Sequence, residues 1–270
     1  LSGTMKGTTL GYFEATGIPI TPLTDKLVND TFQLSSIVVK DKSGKQVATT
    51  KAVVPVSWEI SCHLCHNTPG ISVATDILRA HDRRHGTTLE KQKPVLCASC
   101  HADPALGTTG QTGVSNFSRA MHNSHASRMA QLPNLQNACY ACHPGVQTEC
   151  QRDVHAAKGI SCVNCHGDMA AVATPTRRPW VDEPTCASCH QTRKPNFDFE
   201  QPGKLFKESK GHGGVACASC HGPQHATAPA LTPNDNAQAI LQQGTAGTIS
   251  KCTVCHTTTP REPFFHKVDD

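Results

Sequence analysis

Cysteine and histidine recur along this 270-residue chain in one fixed arrangement, Cys-x-x-Cys-His, seven times over. The thiol pairs are Cys62 and Cys65, Cys97 and Cys100, Cys139 and Cys142, Cys162 and Cys165, Cys186 and Cys189, Cys217 and Cys220, and Cys252 and Cys255. The histidines that close them are His66, His101, His143, His166, His190, His221 and His256. Positions i, i+3 and i+4 share one side of a helical turn, so each motif presents two thiols and an imidazole together. That is the attachment pattern of c-type haem, in which the thiols add across the porphyrin vinyl groups and the histidine ligates iron from one face. Zinc sites also use paired cysteines. Seven repeats that all end in histidine point to haem instead.

What lies on the opposite face of each iron separates an electron carrier from an enzyme. Nine histidines stand outside the closing positions: His63, His81, His85, His122, His125, His155, His212, His225 and His266. They are enough to give every haem a second imidazole, and all nine are candidate distal ligands. His81 and His85, and His122 and His125, lie four and three residues apart. Each such pair would share a helix face and serve two adjacent haems. The competing ligand is methionine, which raises the potential. Only Met5, Met121, Met129 and Met169 exist, and none is needed once the histidines are counted. Cys150 is the fifteenth cysteine and belongs to none of the seven motifs. It is a candidate attachment point for an eighth haem, through an overlapping long motif that ends at Cys165-His166, or else a spare thiol.

The elements that must hold these groups look sparse. Residues 1–60 carry no haem motif and read as a β-rich cap or subunit-contact region. Thr31–Val39 and Gln46–Val54 are rich in β-branched residues and flank a polar turn, Asp41–Lys45, as in a β-hairpin. Residues 61–270 read as the multihaem region, made of short helices and loops. Breakers stand in most of its spacers, at Pro104, Pro133, Pro144, Pro175, Pro202 and Pro229. The first cysteines are 35, 42, 23, 24, 31 and 35 residues apart, so there is no fixed repeat. The expected fold is a multihaem cytochrome c with little regular secondary structure, wrapped around stacked haems. The spacer from Ala102 to Ala138 is long enough for a helix that supplies distal ligands.

Composition agrees. Hydrophobic residues are 37% and aromatic residues 4%, thin for a conventional core of this size. Haem would supply the missing apolar surface, and stability would depend on it. The formal charge of +4 is offset by about one negative charge per ferric haem and about two per ferrous haem, through the propionates. Nucleic-acid binding is therefore not expected. No apolar run approaches the roughly 20 residues of a membrane-spanning helix. Covalent haem attachment in bacteria takes place outside the cytoplasmic membrane, so the chain is expected to be exported and to begin near a mature N-terminus.

The stretch Gly11–Pro22, the hairpin, and Val54-Pro-Val-Ser-Trp-Glu-Ile-Ser-Cys62-His-Leu-Cys65-His66 resemble the N-terminal part of exported multihaem cytochromes from metal-reducing bacteria. Size and haem count are similar to those of the OmcZ type of extracellular nanowire cytochrome. The resemblance implies conduction along stacked haems, assembly as a homopolymer, an extracellular or outer-surface location, and an eighth haem on a widely spaced cysteine pair. The expected function is electron transfer along seven bis-histidine haems, or eight with Cys150, to redox partner proteins or extracellular acceptors. The alternatives are a soluble periplasmic shuttle and a reductase of nitrite, hydroxylamine or a sulfur oxyanion.

Overall fold

The computed structural model describes residues 1–129, 138–261 and 266; Pro133 lies outside them. Its strands are β1 (Lys6–Gly7), β2 (Phe13–Glu14), β3 (Phe32–Lys40), β4 (Gln46–Pro55), β5 (Lys210–Gly211) and β6 (Val215–Ala216). Its α-helices are α1 (Val73–His85), α2 (Phe117–His125), α3 (Cys162–His166), α4 (Met169–Val172), α5 (Ala187–His190), α6 (Cys217–His221) and α7 (Pro233–Gln243). The strands pair antiparallel in three two-stranded sheets. Between these elements run 3₁₀ turns and loops. This is the sparse regular structure expected from the breakers.

Contacts group the chain into two interleaved units. One comprises Leu1–Trp58, Gln151–Gly159 and Thr185–Asp270; the other comprises Glu59–Cys150 and Ile160–Pro184. The first holds three of the Cys-x-x-Cys-His motifs and the second holds four.

In the first unit the expected hairpin is present. β3 and β4 pair from Phe32 opposite Pro55 to Lys40 opposite Gln46, with an irregularity at Val39/Lys40. The Asp41 carboxylate accepts from the Ser43 and Lys45 N–H groups and closes the turn. α7 lies against the hairpin and begins with Pro233, whose fixed φ suits a first helical turn. Asn234 donates to the Phe32 carbonyl. Beneath them, Arg152 is bound by both oxygens of Asp235, at 2.6 and 2.9 Å, and its guanidinium stands 4.0 Å over the Phe32 ring. Backbone bonds from Arg152 to His225, from Val154 to Thr227 and from Leu231 to Arg152 lay residues 152–154 beside 225–231.

In the second unit α1 is capped by Ser72, whose hydroxyl accepts from Thr75 N–H, and ends at Gly86 in the left-handed conformation. Arg83, Arg84 and His85 fill its last turn, where cations suit the helix dipole. Asp82 accepts from Thr87 Oγ1, Leu89 N–H and Glu90 N–H and so folds the following loop back onto the helix. α2 is capped by Asn116, which accepts from Arg119 N–H, and rests against α4. Glu59 accepts from the Gln147 and Thr148 N–H groups, tying the entry to the first motif to the exit from the third.

Besides Pro22, the apolar side chains buried among the described residues are six alanines: Ala98, Ala141, Ala173, Ala226, Ala230 and Ala239. The largest side chain excluded from solvent is Ser209. Burial of leucine, isoleucine or phenylalanine, the usual source of folding energy, therefore contributes little. Polar anchors carry more than their usual share. The Arg152–Asp235 pair is 7% and 2% exposed, and removing one partner of a buried pair strands the other charge. Asp235→Ala should accordingly destabilise the holoprotein by about 3–5 kcal/mol, read as a lower urea midpoint. Exchanging the exposed pair partner Asp182 for alanine should cost under about 1 kcal/mol.

Candidate haem sites

Every Cys-x-x-Cys-His motif forms one helical turn. Backbone bonds close it from His66 to Cys62, His101 to Cys97, His143 to Cys139, His190 to Cys186 and His256 to Cys252, all at 2.9–3.0 Å. The Cys162 and Cys217 motifs are themselves α3 and α6. No disulfide joins any of the fifteen cysteines. The thiols thus stand where the spacing required, on one side with the imidazole.

Six motif histidines each face a second histidine ring from elsewhere in the same unit. Ring centres are 6.4 Å apart for His66 and His125, 6.4 Å for His101 and His81, and 5.9 Å for His143 and His122. They are 6.1 Å apart for His190 and His155, 6.0 Å for His256 and His212, and 5.8 Å for His221 and His266. Isolated aromatic rings also pack at such distances. Chance packing would not match one motif histidine to one non-motif histidine six times. An iron held between two imidazoles, with metal–nitrogen bonds of about 2 Å and about 1 Å more to each ring centre, needs a spacing of about 6 Å. The residues fit a bis-histidine haem at all six places.

The remaining candidates are placed differently. His85 lies against His81 with ring centres 4.7 Å apart and planes tilted by 46°, within α1. His225 takes a left-handed φ of 63°, and its carbonyl accepts from Arg152 N–H. His63 sits inside the 3₁₀ turn Cys62–Leu64, between the thiols of its own motif. His166 closes α3. Cys150 is partly buried, and its N–H donates to the Pro144 carbonyl. α2 brings both of its histidines to motif histidines, His125 to the first motif and His122 to the third.

Ligation through Nε2 leaves Nδ1 to donate, and its acceptor fixes the ring. His122 and His125 donate to the carbonyls of Ser118 and Met121, each at 2.7 Å. His101 donates to the Ser115 carbonyl at 2.8 Å. His81 donates to Thr87 Oγ1 at 2.9 Å, and that hydroxyl passes its own proton toward Asp82 at 2.6 Å. His155 and His266 instead meet carboxylates, Asp153 at 2.8 Å and Asp198 at 3.0 Å. Burial holds His66, His81 and His221 below the ordinary histidine range, with the neighbouring His85 and His101 adding to it at His81. The imidazoles are kept neutral, the form that binds a metal.

The thiols reveal which motifs are neighbours. Cys139 is pushed up by its hydrogen bond with Cys162 and by burial. Cys142 is raised by burial and by the nearby Cys62 and Cys65. In the other unit, Cys186 is pushed up to about 12 by burial, by its bond to Glu200 and by Cys217. Burial and Cys255 raise Cys220. The first motif therefore adjoins the third and the third adjoins the fourth, while the fifth, sixth and seventh follow one another.

Sequence reasoning supplied the histidines and missed their acceptors. Asp153 was readable, because it stands two residues before His155. Asp198 was not, because it lies far from His266 in the chain and meets it only through folding. Ser115, Ser118 and Met121 act through the backbone, where side-chain identity carries no signal.

With this geometry in view, residues 154–234 match the family model for cytochrome c3, a span containing the fourth, fifth and sixth motifs. No curated protein and no solved structure matches the chain. The matched span covers under a third of the 270 residues. Over that span the chain is similar to cytochrome c3, which supports a multihaem electron-transfer protein carrying c-type haem.

Proposed function

We propose that this chain is an exported electron carrier that holds one c-type haem at each of its seven motifs and serves as a subunit of an extracellular conductive filament. The observation that carries electron transfer is the sixfold pairing of a motif histidine with a second histidine. When bound, c-type haem supplies one-electron exchange between ferric and ferrous iron. The chain's part is to clamp both axial positions and to bring neighbouring sites together. Imidazoles on both faces leave a substrate no open position at six sites, which favours carriage over reduction of a small oxyanion. Among the described residues, no helix is long and apolar enough to cross a membrane.

The α2 helix gives a direct test of ligation. His125→Ala should open one site and Ala120→Pro should open two. Proline at position 120 loses the bond to the Asn116 carbonyl and breaks the helix that carries both ligands, at a cost of about 3 kcal/mol. Electron paramagnetic resonance of the oxidised holoprotein should show one and two more haem equivalents of high-spin iron, respectively, than a parent that is low-spin at the six paired sites. A parent with substantial high-spin signal would instead favour the reductase reading.

The filament rests on the resemblance of residues 11–66 and on the hairpin. β3 and β4 form a sheet of two strands, and Val38, Val39 and Val47 are about half exposed. Such a strand edge invites pairing with another chain. A head-to-tail contact whose rotation does not close generates a fibre. Deleting residues 25–55 would also strip α7 of its support, so the cleaner variant is Val39→Lys with Val47→Lys. Electron micrographs of the purified holoprotein should show filaments for the parent and dispersed, fully haem-loaded subunits for the variant. A parent that stays monomeric at high concentration makes the soluble shuttle the better account.

A further inference from the structure

We propose that Asp153 and Asp198 are potential-setting residues: through His155 and His266 they place the fifth and sixth haem sites at the low-potential end of the array. The inference rests on the reading of those two histidines as distal ligands. It goes beyond that reading by assigning different electronic character to sites with the same pair of ligands.

The two carboxylates have the geometry for this. Asp153 Oδ2 accepts from His155 Nδ1 at 2.8 Å, and its side chain is 6% exposed. Its other oxygen accepts from Ala156 N–H at 2.9 Å, which fixes the carboxylate against the turn that carries the histidine. Arg152, next in sequence, directs its guanidinium to Asp235. Asp198 Oδ1 accepts from His266 Nδ1 at 3.0 Å, with its side chain 16% exposed. Asp198 N–H donates in turn to the His266 carbonyl at 3.3 Å, so the two residues hold each other at two points. By contrast, His122 and His125 in the other unit donate to backbone carbonyls.

A carboxylate acceptor draws the Nδ1 proton toward itself, and the imidazole becomes a more basic ligand. A more basic ligand, with a full negative charge behind it, stabilises ferric iron over ferrous. Little solvent reaches either carboxylate, so that charge is weakly screened. A neutral carbonyl does the same to a smaller degree. Hydrogen bonding to the axial ligand and local burial are among the means by which a protein sets a haem potential. No bond is made or broken; iron gains or loses one electron, and the Nδ1 proton stays in the same hydrogen bond.

The test is a spectroelectrochemical titration of the holoprotein. Asp153→Asn and Asp198→Asn keep an acceptor oxygen and remove the charge. Each should move one electron equivalent of the low-potential limb upward, by about 59 mV for a tenfold loss of ferric preference in a one-electron couple. Haem content and the low-spin signal should be unchanged. Asp25→Asn, a change at an exposed carboxylate of the same unit, should leave the curve in place. Unchanged curves in fully loaded Asp153→Asn and Asp198→Asn overturn the proposal, as does an equal shift from Asp25→Asn. If one aspartate variant fails to take up haem, the other decides. His155→Ala and His266→Ala test the ligand assignment separately, because each should yield one high-spin equivalent whether or not the carboxylates set the potential.

Discussion

The separation of about 6 Å between opposed imidazoles is the constraint on which the rest of the structure turns. Each pair joins a motif to a histidine that arrives from another stretch of chain, and the two must meet edge to edge across a gap of fixed width. On the proposed ligation, two bonds to one metal would close a loop, and coordination rather than burial of apolar side chains would offset the ordering entropy of that loop. The other features follow. On the same reading, helices can be short because each needs only to deliver one or two ligands. Alanine lines what core there is, which would leave space for a porphyrin. Polar anchors such as Arg152 with Asp235 and Asp82 with its loop hold the backbone on either side of a ligand.

The local parts of this arrangement were legible in the sequence. Cys-x-x-Cys-His had to be a helical turn, and it is one at each motif. The β-branched runs on either side of Asp41–Lys45 had to pair, and they do, as β3 and β4. Histidines three residues apart at 122 and 125 had to share a helix face, and α2 supplies it. The pairing of ligands was not legible. Nothing in the spacing says that His81 meets His101 or that His212 meets His256, because those distances are decided by 3₁₀ turns and loops whose geometry depends on bonds from remote residues. The interleaving of the two units escaped for the same reason. Residues 151–159 join the N-terminal hairpin through Arg152, Asp235 and Phe32, and no periodicity in the chain announces that contact.

Sequence order and spatial order also differ within a unit. The first and third motifs are drawn together twice, by Cys142 beside Cys62 and Cys65 and by α2, which faces His66 with one histidine and His143 with another. The second motif is served instead by α1, through His81. A carrier built this way has its neighbours chosen by the helices that span between motifs, so moving a single helix changes two sites at once. That coupling is why α2, with only nine residues, matters more to the array than its length suggests.

A conductor of identical sites would have no preferred direction. Here the ligands repeat while their acceptors do not. Carbonyls stand behind His122 and His125, a hydroxyl relayed to Asp82 behind His81, and carboxylates behind His155 and His266. The first kind belongs to α2, where Nδ1 folds back onto the carbonyl one turn earlier, as His122 does onto Ser118, whereas His81 in α1 turns to Thr87. Carboxylates stand behind two distal candidates that come from outside the α-helices, His155 and His266. On the proposal above, the acceptor behind a distal histidine would carry an electronic consequence along with a structural one. It would let one ligand pair be tuned from site to site without altering the separation of about 6 Å between the imidazoles.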